Sequence, residues 1–312
     1  MLKDYVKIAR PDHWIKQLFI LPGIVFALFL TGEDRLSGTA LAISLIFAFI
    51  STCFTASSNY VINEWLDADF DRFHPTKKNR PVVADNLSVK WILFEYAVLA
   101  VIGLVTGWIS GRLVFYMEAF LWLMGIFYNV KPFRTKEIPY LDVISESVNN
   151  AIRLLIGWFA VTTACYPPVS VVIGYWMGGA FLMAVKRYAE YRMIGDKELA
   201  GSYRKSFRYY TEESLLISSF FYALMSVFFC GVFMIKYKIE LVFAIPMLCG
   251  LFCYYLKISY KQDSSVQKPE KLYREKGLMA YILVFIILLA VLMLSEISGL
   301  SIFIGNELVR IK

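Results

Sequence analysis

The sequence predicts an all-helical protein that crosses a membrane several times. Its 312 residues are 58% hydrophobic and only 18% charged, with a mean hydropathy of +0.57. A soluble domain has about 25% charged residues, so this chain has too little polar surface to cover a globule in water. The apolar runs recur from end to end and leave no polar stretch for a separate core. We therefore expect one polytopic domain over residues 1–312.

The number of spans follows from the length of the apolar runs. A membrane-spanning helix needs about 20 mainly apolar residues, with a range of roughly 17–25. Nine runs meet or approach this length, which predicts nine transmembrane helices. The runs are 17–31, 39–62, 91–110, 113–128, 141–163, 169–185, 215–235, 241–256 and 278–294.

The positions of the basic residues orient these spans. Alternate loops, beginning with the N-terminus, hold 25 of the 32 Lys and Arg residues, and the opposite loops hold 6. The positive-inside rule then places the N-terminus in the cytoplasm, and nine spans place the C-terminus outside. Because the net charge of +7 lies in loops between apolar spans, we expect no nucleic-acid partner. The long loops are the cytoplasmic ones, so we expect an active site on that side.

A cluster of acidic residues follows the second run. On a helix, Glu64, Asp67 and Asp71 fall within about 60° of one another, whereas Asp69 falls about 140° from Glu64. Carboxylates that lie close together repel each other unless a cation lies between them. Oxygen ligands of this kind suit Mg²⁺ held together with substrate phosphates. The spacing therefore indicates a metal and phosphate site on one face of this helix.

Basic residues follow the acidic cluster in a turn-rich segment. Lys77, Lys78 and Arg80 can neutralise phosphate charge, and the Arg can do so as a bidentate fork. The alternative is a solvated helix end with ordinary juxtamembrane charge. Clustered carboxylates at a membrane interface are costly and usually functional, so we favour the phosphate site.

The acidic cluster carries a family resemblance. Asn63-Glu64-x-x-Asp67-x-x-x-Asp71 resembles the NDxxDxxxD motif of the UbiA superfamily of intramembrane prenyltransferases, with Glu64 in the usual Asp place. The segment from Tyr128 through Asp142 to Arg153 and Gly157 also fits that superfamily. The resemblance implies nine transmembrane helices with a cytoplasmic-side active site. It also implies Mg²⁺ and a diphosphate bound by Asn63, Glu64, Asp67 and Asp71.

A second polar cluster follows the sixth run. On a helix Lys186, Glu190 and Arg187 fall at 0°, about 40° and about 100°, so they can face one pocket. A helix end with snorkelling side chains is the alternative. Aromatic prenyltransferases of the superfamily carry a second DxxxD motif here, and Arg187-x-x-Glu190 stands in its register. With one acid replaced by a base, the site should hold more phosphate for each metal.

Several short motifs resemble one branch of the superfamily, the decaprenyl-phosphate phosphoribosyltransferases. They are the KRYAE of 186–190, the HPxKxxRP of 74–81, and the RPDHWIKQ of 10–17, which is similar to the RPxxWxKN of that branch. The branch resemblance implies an enzyme of the cell membrane that moves 5-phosphoribosyl from 5-phosphoribosyl-1-diphosphate (PRPP) to a polyprenyl phosphate. Diphosphate is released in a Mg²⁺-dependent reaction, and the product would serve cell-wall biosynthesis.

This resemblance assigns roles to individual residues. We expect Asp67, Asp71 and Glu190 to be catalytic. We expect substrate to be bound by Lys16, Asn63, Lys77, Arg80, Arg153, Lys186 and Arg187. Arg153 lies inside a span, where its charge is expensive without an anion. For Lys16, a simple positive-inside anchor is an equal alternative.

Two other functions remain open from the sequence. One is a prenyltransferase that moves an isoprenoid chain from its diphosphate to an aromatic or lipid acceptor, a reaction normally served by two acidic motifs. The other is a channel or secondary transporter, which should place polar or broken helices near the bilayer midplane. The charges instead gather at the predicted cytoplasmic helix ends, which favours a transferase.

Overall fold

The computed structural model describes residues 2–72, 80–84, 87–261, 264–267, 269–297 and 299–300, and these residues form helices and connections without any strand. The α-helices are α1 (Leu2–Ile8), α2 (Leu21–Leu30), α3 (Gly38–Asp71), α4 (Pro81–Ala84), α5 (Val89–Ser110), α6 (Arg112–Asn129), α7 (Leu141–Phe159), α8 (Val169–Ile194), α9 (Lys197–Tyr203), α10 (Glu212–Tyr237), α11 (Ile245–Ser259) and α12 (Lys276–Leu294). Short 3₁₀ helices cover Pro11–Ile20, Thr135–Glu137, Lys205–Arg208, Ile239–Ala244, Ser265–Gln267 and Pro269–Arg274.

Seven helical segments among the described residues are long and apolar enough to cross a membrane. They are Lys3–Leu30, Gly38–Asp71, Val89–Ser110, Val169–Ile194, Glu212–Tyr237, Ile239–Ser259 and Lys276–Leu294. The two other predicted runs form α6 and α7, of 18 and 19 residues. These helices carry more polar side chains, including the buried Glu118 and Arg153. The all-helical fold is confirmed, whereas the count of nine spans stays a prediction.

The chain folds as two compact units. The first comprises residues 1–167 and 194–215, and the second comprises residues 168–193 and 216–312. In the first unit α3 packs along α5, α6 contacts α7, and α2 contacts α7. In the second unit α11 contacts α12, and the Ser226 hydroxyl of α10 donates to the Gly174 carbonyl of α8. The expectation of a single domain stays a prediction.

Helix α3 is the element that positions the acidic residues. Its 34 residues extend about 51 Å, well beyond the roughly 30 Å hydrocarbon core of a bilayer. The helix ends at Asp71. Its length therefore allows the apolar part to span the core while the last turns, from Glu64 onward, reach an interface.

Candidate active site

The acidic face of α3, which we define as Asn63, Glu64, Asp67 and Asp71, is turned into the first unit. Glu64 and Asp71 are buried. The Asp67 side chain is 19% exposed, whereas that of Asp69 is 87% exposed. The helical spacing thus correctly separates Asp69 from the other three carboxylates. A helix with 3.6 residues per turn cannot bring Asp69 to the same side.

The carboxylates at the two ends of the acidic face are each held by an arginine. Arg10 Nη2 lies 2.7 Å from Glu64 Oε2, and its guanidinium also lies over the Tyr60 ring. Arg80 Nη1 pairs with Asp71 Oδ2. Burial lowers the pKa of Arg80, but the Asp71 and Glu64 carboxylates outweigh burial and raise this pKa above its usual value. Both ends of the face are therefore charge-compensated by the protein.

The central carboxylate, Asp67, is held by two bases from the connection between α6 and α7. Its Oδ1 lies 2.5 Å from Lys136 Nζ and 3.0 Å from Arg134 Nη2. Arg134 has a left-handed backbone, with φ of 34°, a conformation that costs a non-glycine residue about 1–3 kcal/mol. The Arg134 guanidinium also donates hydrogen bonds to two backbone carbonyls, those of Asn129 and Leu66. The connection is thus fixed so that two bases face α3.

An amide pair links the acidic face to the end of α6. Asn63 Nδ2 donates to Asp67 Oδ2 at 3.2 Å and to Asn129 Oδ1 at 2.5 Å. Lys136 Nζ donates to the same Asn129 oxygen at 2.7 Å. Burial lowers the pKa of Lys136 to about 8, although the Asp67 carboxylate opposes that change. Lys136 is therefore a buried cation kept in place by oxygen atoms on two helices.

The outer side of the site is formed by the segment after α9. Lys205 Nζ lies 2.8 Å from Glu137 Oε2, and Arg134 Nε lies 2.5 Å from Glu137 Oε1. Both Arg134 and Lys205 lie over the face of the Phe70 ring, at 5.2 and 5.5 Å from its centre. Burial raises the pKa of Glu137, but hydrogen bonds from Lys205 and Arg134 outweigh it and lower that pKa. Glu137 is consequently an anion shared by two cations.

Arg204, next to Lys205, is anchored to the start of α7. Its Nη1 lies 3.6 Å from Asp142 Oδ2. Asp142 is fully buried and also accepts from the hydroxyls of Tyr210, at 2.7 Å, and Ser206, at 3.1 Å. This network ties the α9 segment to α7 and so holds Arg204 and Lys205 beside the acidic face.

These groups line one pocket within the first unit. Three acids, four bases and two aromatic residues contribute to it. They are Asp67, Asp71, Glu137, Arg134, Lys136, Arg204, Lys205, Phe70 and Tyr203. The pocket therefore combines carboxylates with an excess of cations, which is an arrangement suited to a polyanionic ligand.

The amino-acid sequence that forms this pocket matches a known family. A family model described as the UbiA prenyltransferase family matches residues 20–281. The chain belongs to the UbiA prenyltransferase family. The membership also identifies it as a multi-pass membrane protein and a transferase-family member.

Curated relatives lie within the same family. The decaprenyl-phosphate phosphoribosyltransferase of Mycolicibacterium smegmatis is 30% identical over 217 residues, which are 69% of this chain and 65% of that protein. The protein of the same name from Corynebacterium glutamicum is 26% identical over 209 residues, 66% of this chain and 59% of that protein. The match thus spans less than two thirds of the length of these two relatives.

A solved structure confirms the UbiA fold. The UbiA homolog of Archaeoglobus fulgidus bound to GPP and Mg²⁺ superposes with a TM-score of 0.67 at 20% sequence identity. The match covers 91% of this chain and 99% of that chain. The predicted fold class, an all-α membrane protein of the UbiA type, is therefore correct.

Two other predicted substrate-binding residues of the first unit, Lys16 and Arg153, each have a polar partner that is not part of the acidic face. Lys16 Nζ contacts His13 Nδ1 at 3.2 Å. Arg153 is buried in α7 and donates to Gln17 Oε1. Lys77 lies outside the described residues. Of the predicted phosphate-binding bases after α3, the structure therefore describes Arg80, which pairs with Asp71.

The predicted second motif lies in α8, in the second unit. Arg187 and Glu190 are both buried, and Arg187 Nη1 lies 3.3 Å from Glu190 Oε2. Lys186 is partly exposed. Tyr188, which the helical spacing turns away from them, packs against the Tyr260 ring at 5.6 Å. The motif is a buried ion pair, and its catalytic and binding roles stay predictions.

Sequence reasoning missed much of the basic side of the pocket. Arg134, Lys136, Arg204 and Lys205 lie in loops between the predicted runs, and these four residues served only to orient the chain. The basic charge of these two loops was the sequence feature that could have indicated a phosphate site. Position in a loop does not, however, reveal which side chains are buried. Burial depends on the contacts of the loops with α3, and these arise only in the folded unit.

The acidic face fits a divalent metal by its donor chemistry. Its carboxylate and amide oxygens are hard ligands of the kind that Mg²⁺ prefers. Glu64 Oε1 is buried and has no hydrogen-bond partner, so one ligand atom is already desolvated and available. Within the described ranges, no three His, Cys, Asp or Glu side chains converge as a ligand set, because each carboxylate turns toward a base. Metal binding at this face therefore requires an exchange of partners.

Proposed function

We propose that this protein transfers a 5-phosphoribosyl group from PRPP to a polyprenyl phosphate and releases diphosphate. The observation that carries the proposal is the pocket beside α3, in which four bases accompany three acids. A donor with a diphosphate and a separate phosphate brings more negative charge than a metal bound by carboxylates can neutralise, so additional bases are needed. The similarity to two decaprenyl-phosphate phosphoribosyltransferases supports the same substrate class.

The pairing seen at the acidic face suggests how ligand binding proceeds. In this structure Asp67 uses Lys136 and Arg134 as counterions, and Asp71 uses Arg80. When the donor enters with its metal, the bases exchange these carboxylates for phosphate oxygens. The charge balance is maintained throughout, so no buried charge is left alone at either stage.

The proposed reaction is a substitution at the anomeric carbon of the donor. An oxygen of the polyprenyl phosphate forms a bond to that carbon, and the carbon–oxygen bond to diphosphate breaks with its electron pair on the leaving group. The protein contributes by positioning the two substrates and by stabilising charge on the leaving diphosphate. Lys136, Arg134, Arg80 and Lys205 are the bases placed to stabilise that charge, with Lys77 proposed from the sequence.

The acidic face would hold the metal. Asn63, Glu64, Asp67 and Asp71 are the residues proposed for this, and bound Mg²⁺ would supply positive charge that screens the diphosphate. Asp67 and Asp71 are proposed as catalytic for that reason. In the second unit, Glu190 is proposed as catalytic, and Lys186 and Arg187 as phosphate-binding residues.

Donor labelling tests the proposal directly. The purified protein is incubated with Mg²⁺ and polyprenyl phosphate, and with PRPP labelled in the ribose, and the lipid fraction is counted. We expect label in the lipid together with release of diphosphate. A parallel incubation supplies labelled polyprenyl diphosphate as the donor. Label in the lipid product from that donor, but none from PRPP, would reject the proposal.

A prenyltransferase is the second candidate. It is favoured by the resemblance of the fold to a UbiA homolog solved with GPP and Mg²⁺. The Arg187–Glu190 ion pair stands against it, because a second acidic motif is expected at that position. The same experiment separates the two functions, since each requires label from a different donor.

The cellular arrangement forms part of the proposal. We propose that the protein lies in the cell membrane with the pocket facing the cytoplasm, the N-terminus inside and the C-terminus outside. The distribution of Lys and Arg between alternate loops supports this orientation. A product of this kind would serve as a precursor for cell-wall biosynthesis.

A further inference from the structure

A second polar cluster of the first unit surrounds the arginine of α7. Arg153 is 9% exposed and lies twelve residues after Leu141, about 18 Å along the helix. Its Nε donates to Gln17 Oε1 at 2.7 Å, and its Nη1 donates to the Asn149 carbonyl at 3.1 Å. These partners are neutral, so they satisfy hydrogen bonds without balancing the charge.

The charge of Arg153 has no direct counterion in the part of the chain that the structure describes. The acid that interacts with it is Glu118 of α6, which lies beyond ion-pair distance. The fully buried Glu118 instead accepts a hydrogen bond from the Thr52 hydroxyl, at 2.6 Å. A buried guanidinium without an adjacent anion is costly, which indicates that an anion from outside the chain completes the cluster.

Gln17 supplies an independent indication. Its side chain is fully buried, and its Nε2 has no hydrogen-bond partner. The Oε1 of the same amide is held by Arg153, so the amide group is fixed in orientation. An orphaned N–H donor beside an uncompensated guanidinium is a pair of donors that matches an oxyanion.

Close backbone contact holds Gln17 and Arg153 in register. A Cβ on Gly157 would lie 2.1 Å from the Ile20 carbonyl oxygen, and a Cβ on Gly23 would lie 1.9 Å from that of Leu154. Only glycine permits this approach of α2 and its preceding 3₁₀ helix to α7. Because Gln17 and Arg153 each lie about one turn before these contacts, their side chains meet as a consequence of the glycine packing.

We propose that Arg153 and Gln17 form a phosphate-monoester subsite distinct from the acidic face of α3. The inference rests on the proposed function, in which both substrates carry a phosphate monoester. The acceptor contributes its lipid phosphate, and the donor contributes its 5-phosphate. Arg153 provides charge and N–H donors, and Gln17 Nε2 provides one further donor.

Two variants separate phosphate binding from structural support. Arg153→Gln removes the charge. Gln17→Glu keeps the size of the side chain and gives Arg153 an internal carboxylate, so the fold should be retained with an equal or higher melting temperature. That carboxylate also places negative charge where the phosphate would bind. Arg112→Gln removes a charge from the exposed end of α6 as a matched control.

Equilibrium binding to the full-length protein in detergent is then measured with two probes. Farnesyl phosphate represents the lipid phosphate, with farnesol as its phosphate-free control, and ribose 5-phosphate represents the donor, with ribose as its control. For one probe we expect binding that is about tenfold or more weaker in Arg153→Gln and Gln17→Glu, and close to wild type in Arg112→Gln. The affected probe identifies the source of the phosphate.

Several outcomes would overturn the subsite. One is unchanged binding of both probes in Gln17→Glu. Another is a loss of affinity for the phosphate-free control, farnesol or ribose, as large as the loss for its phosphorylated probe. The third is that the wild type binds neither probe. If Arg153→Gln does not fold, Gln17→Glu alone decides. A wild type that binds farnesyl phosphate through this subsite but transfers no label from PRPP would reject the proposed function and keep the subsite.

Discussion

The Asp67 carboxylate of α3 lies 2.5 Å from the Lys136 ammonium, and both side chains are largely buried. The acid belongs to the motif that the sequence singles out, and the base belongs to a connection eleven residues long between α6 and α7. The contact joins the proposed metal-binding face to the proposed phosphate-binding bases.

The first prediction compares Asp67 with Asp69. Asp67→Asn should lower the rate of label transfer from PRPP by about 100-fold or more, because it removes a carboxylate proposed to hold the metal that screens the leaving diphosphate. Asp69→Asn should retain activity within about twofold, because its side chain is 87% exposed on the other side of α3. Initial rates at saturating donor measure both. Equal losses in the two variants would refute the assignment of the acidic face.

The second prediction concerns the stability of the Asp67–Lys136 pair. Asp67→Asn leaves the Lys136 ammonium buried with only Asn129 and neutral partners, so the free energy of unfolding should fall by about 3 kcal/mol. Adding Lys136→Met should restore most of the melting temperature, because no buried charge then remains uncompensated. Activity should stay lost in the double variant. Recovery of activity together with stability would mean that Asp67 acts only in the fold.

The third prediction concerns metal dependence. Chelation with EDTA should abolish transfer, and Mg²⁺ should restore it. Glu64→Gln removes a ligand whose Oε1 is buried and unpartnered, so half-maximal activity should require about tenfold more Mg²⁺. Glu64→Asp should need less Mg²⁺ than Glu64→Gln, since it keeps the charge. Glu198→Gln, on the exposed part of α9, is the matched control, and a Mg²⁺ titration that is identical for Glu64→Gln and this control contradicts the prediction.

The fourth prediction concerns orientation in the membrane. Cys165 is exposed in the connection between α7 and α8, which the positive-inside rule places outside the cell. A membrane-impermeant maleimide should label it in intact cells, and Cys165→Ser should remove the signal. Glu198→Cys in the Cys165→Ser background should be labelled only after permeabilisation. The reverse pattern would show that the chain has the opposite orientation.

The local part of the site could be predicted from the sequence. Helical periodicity separates Asp69 from Asp67, because that separation depends only on 100° per residue along one continuous helix. The Arg187–Glu190 ion pair is equally local, since side chains three residues apart on a helix lie close together. By contrast, no local pattern pairs Arg10 with Glu64, which are 54 residues apart.

The sequence by itself determined a multi-pass helical membrane protein, its family and the acidic face of α3, because apolar run length and helical spacing are local properties. The tertiary structure decided which bases meet that face. Lys136 reaches Asp67 only because the α6–α7 connection folds onto α3, and Gln17 reaches Arg153 only because glycines let two helical segments approach closely. Such contacts join distant residues, and their energies depend on packing that no local pattern contains.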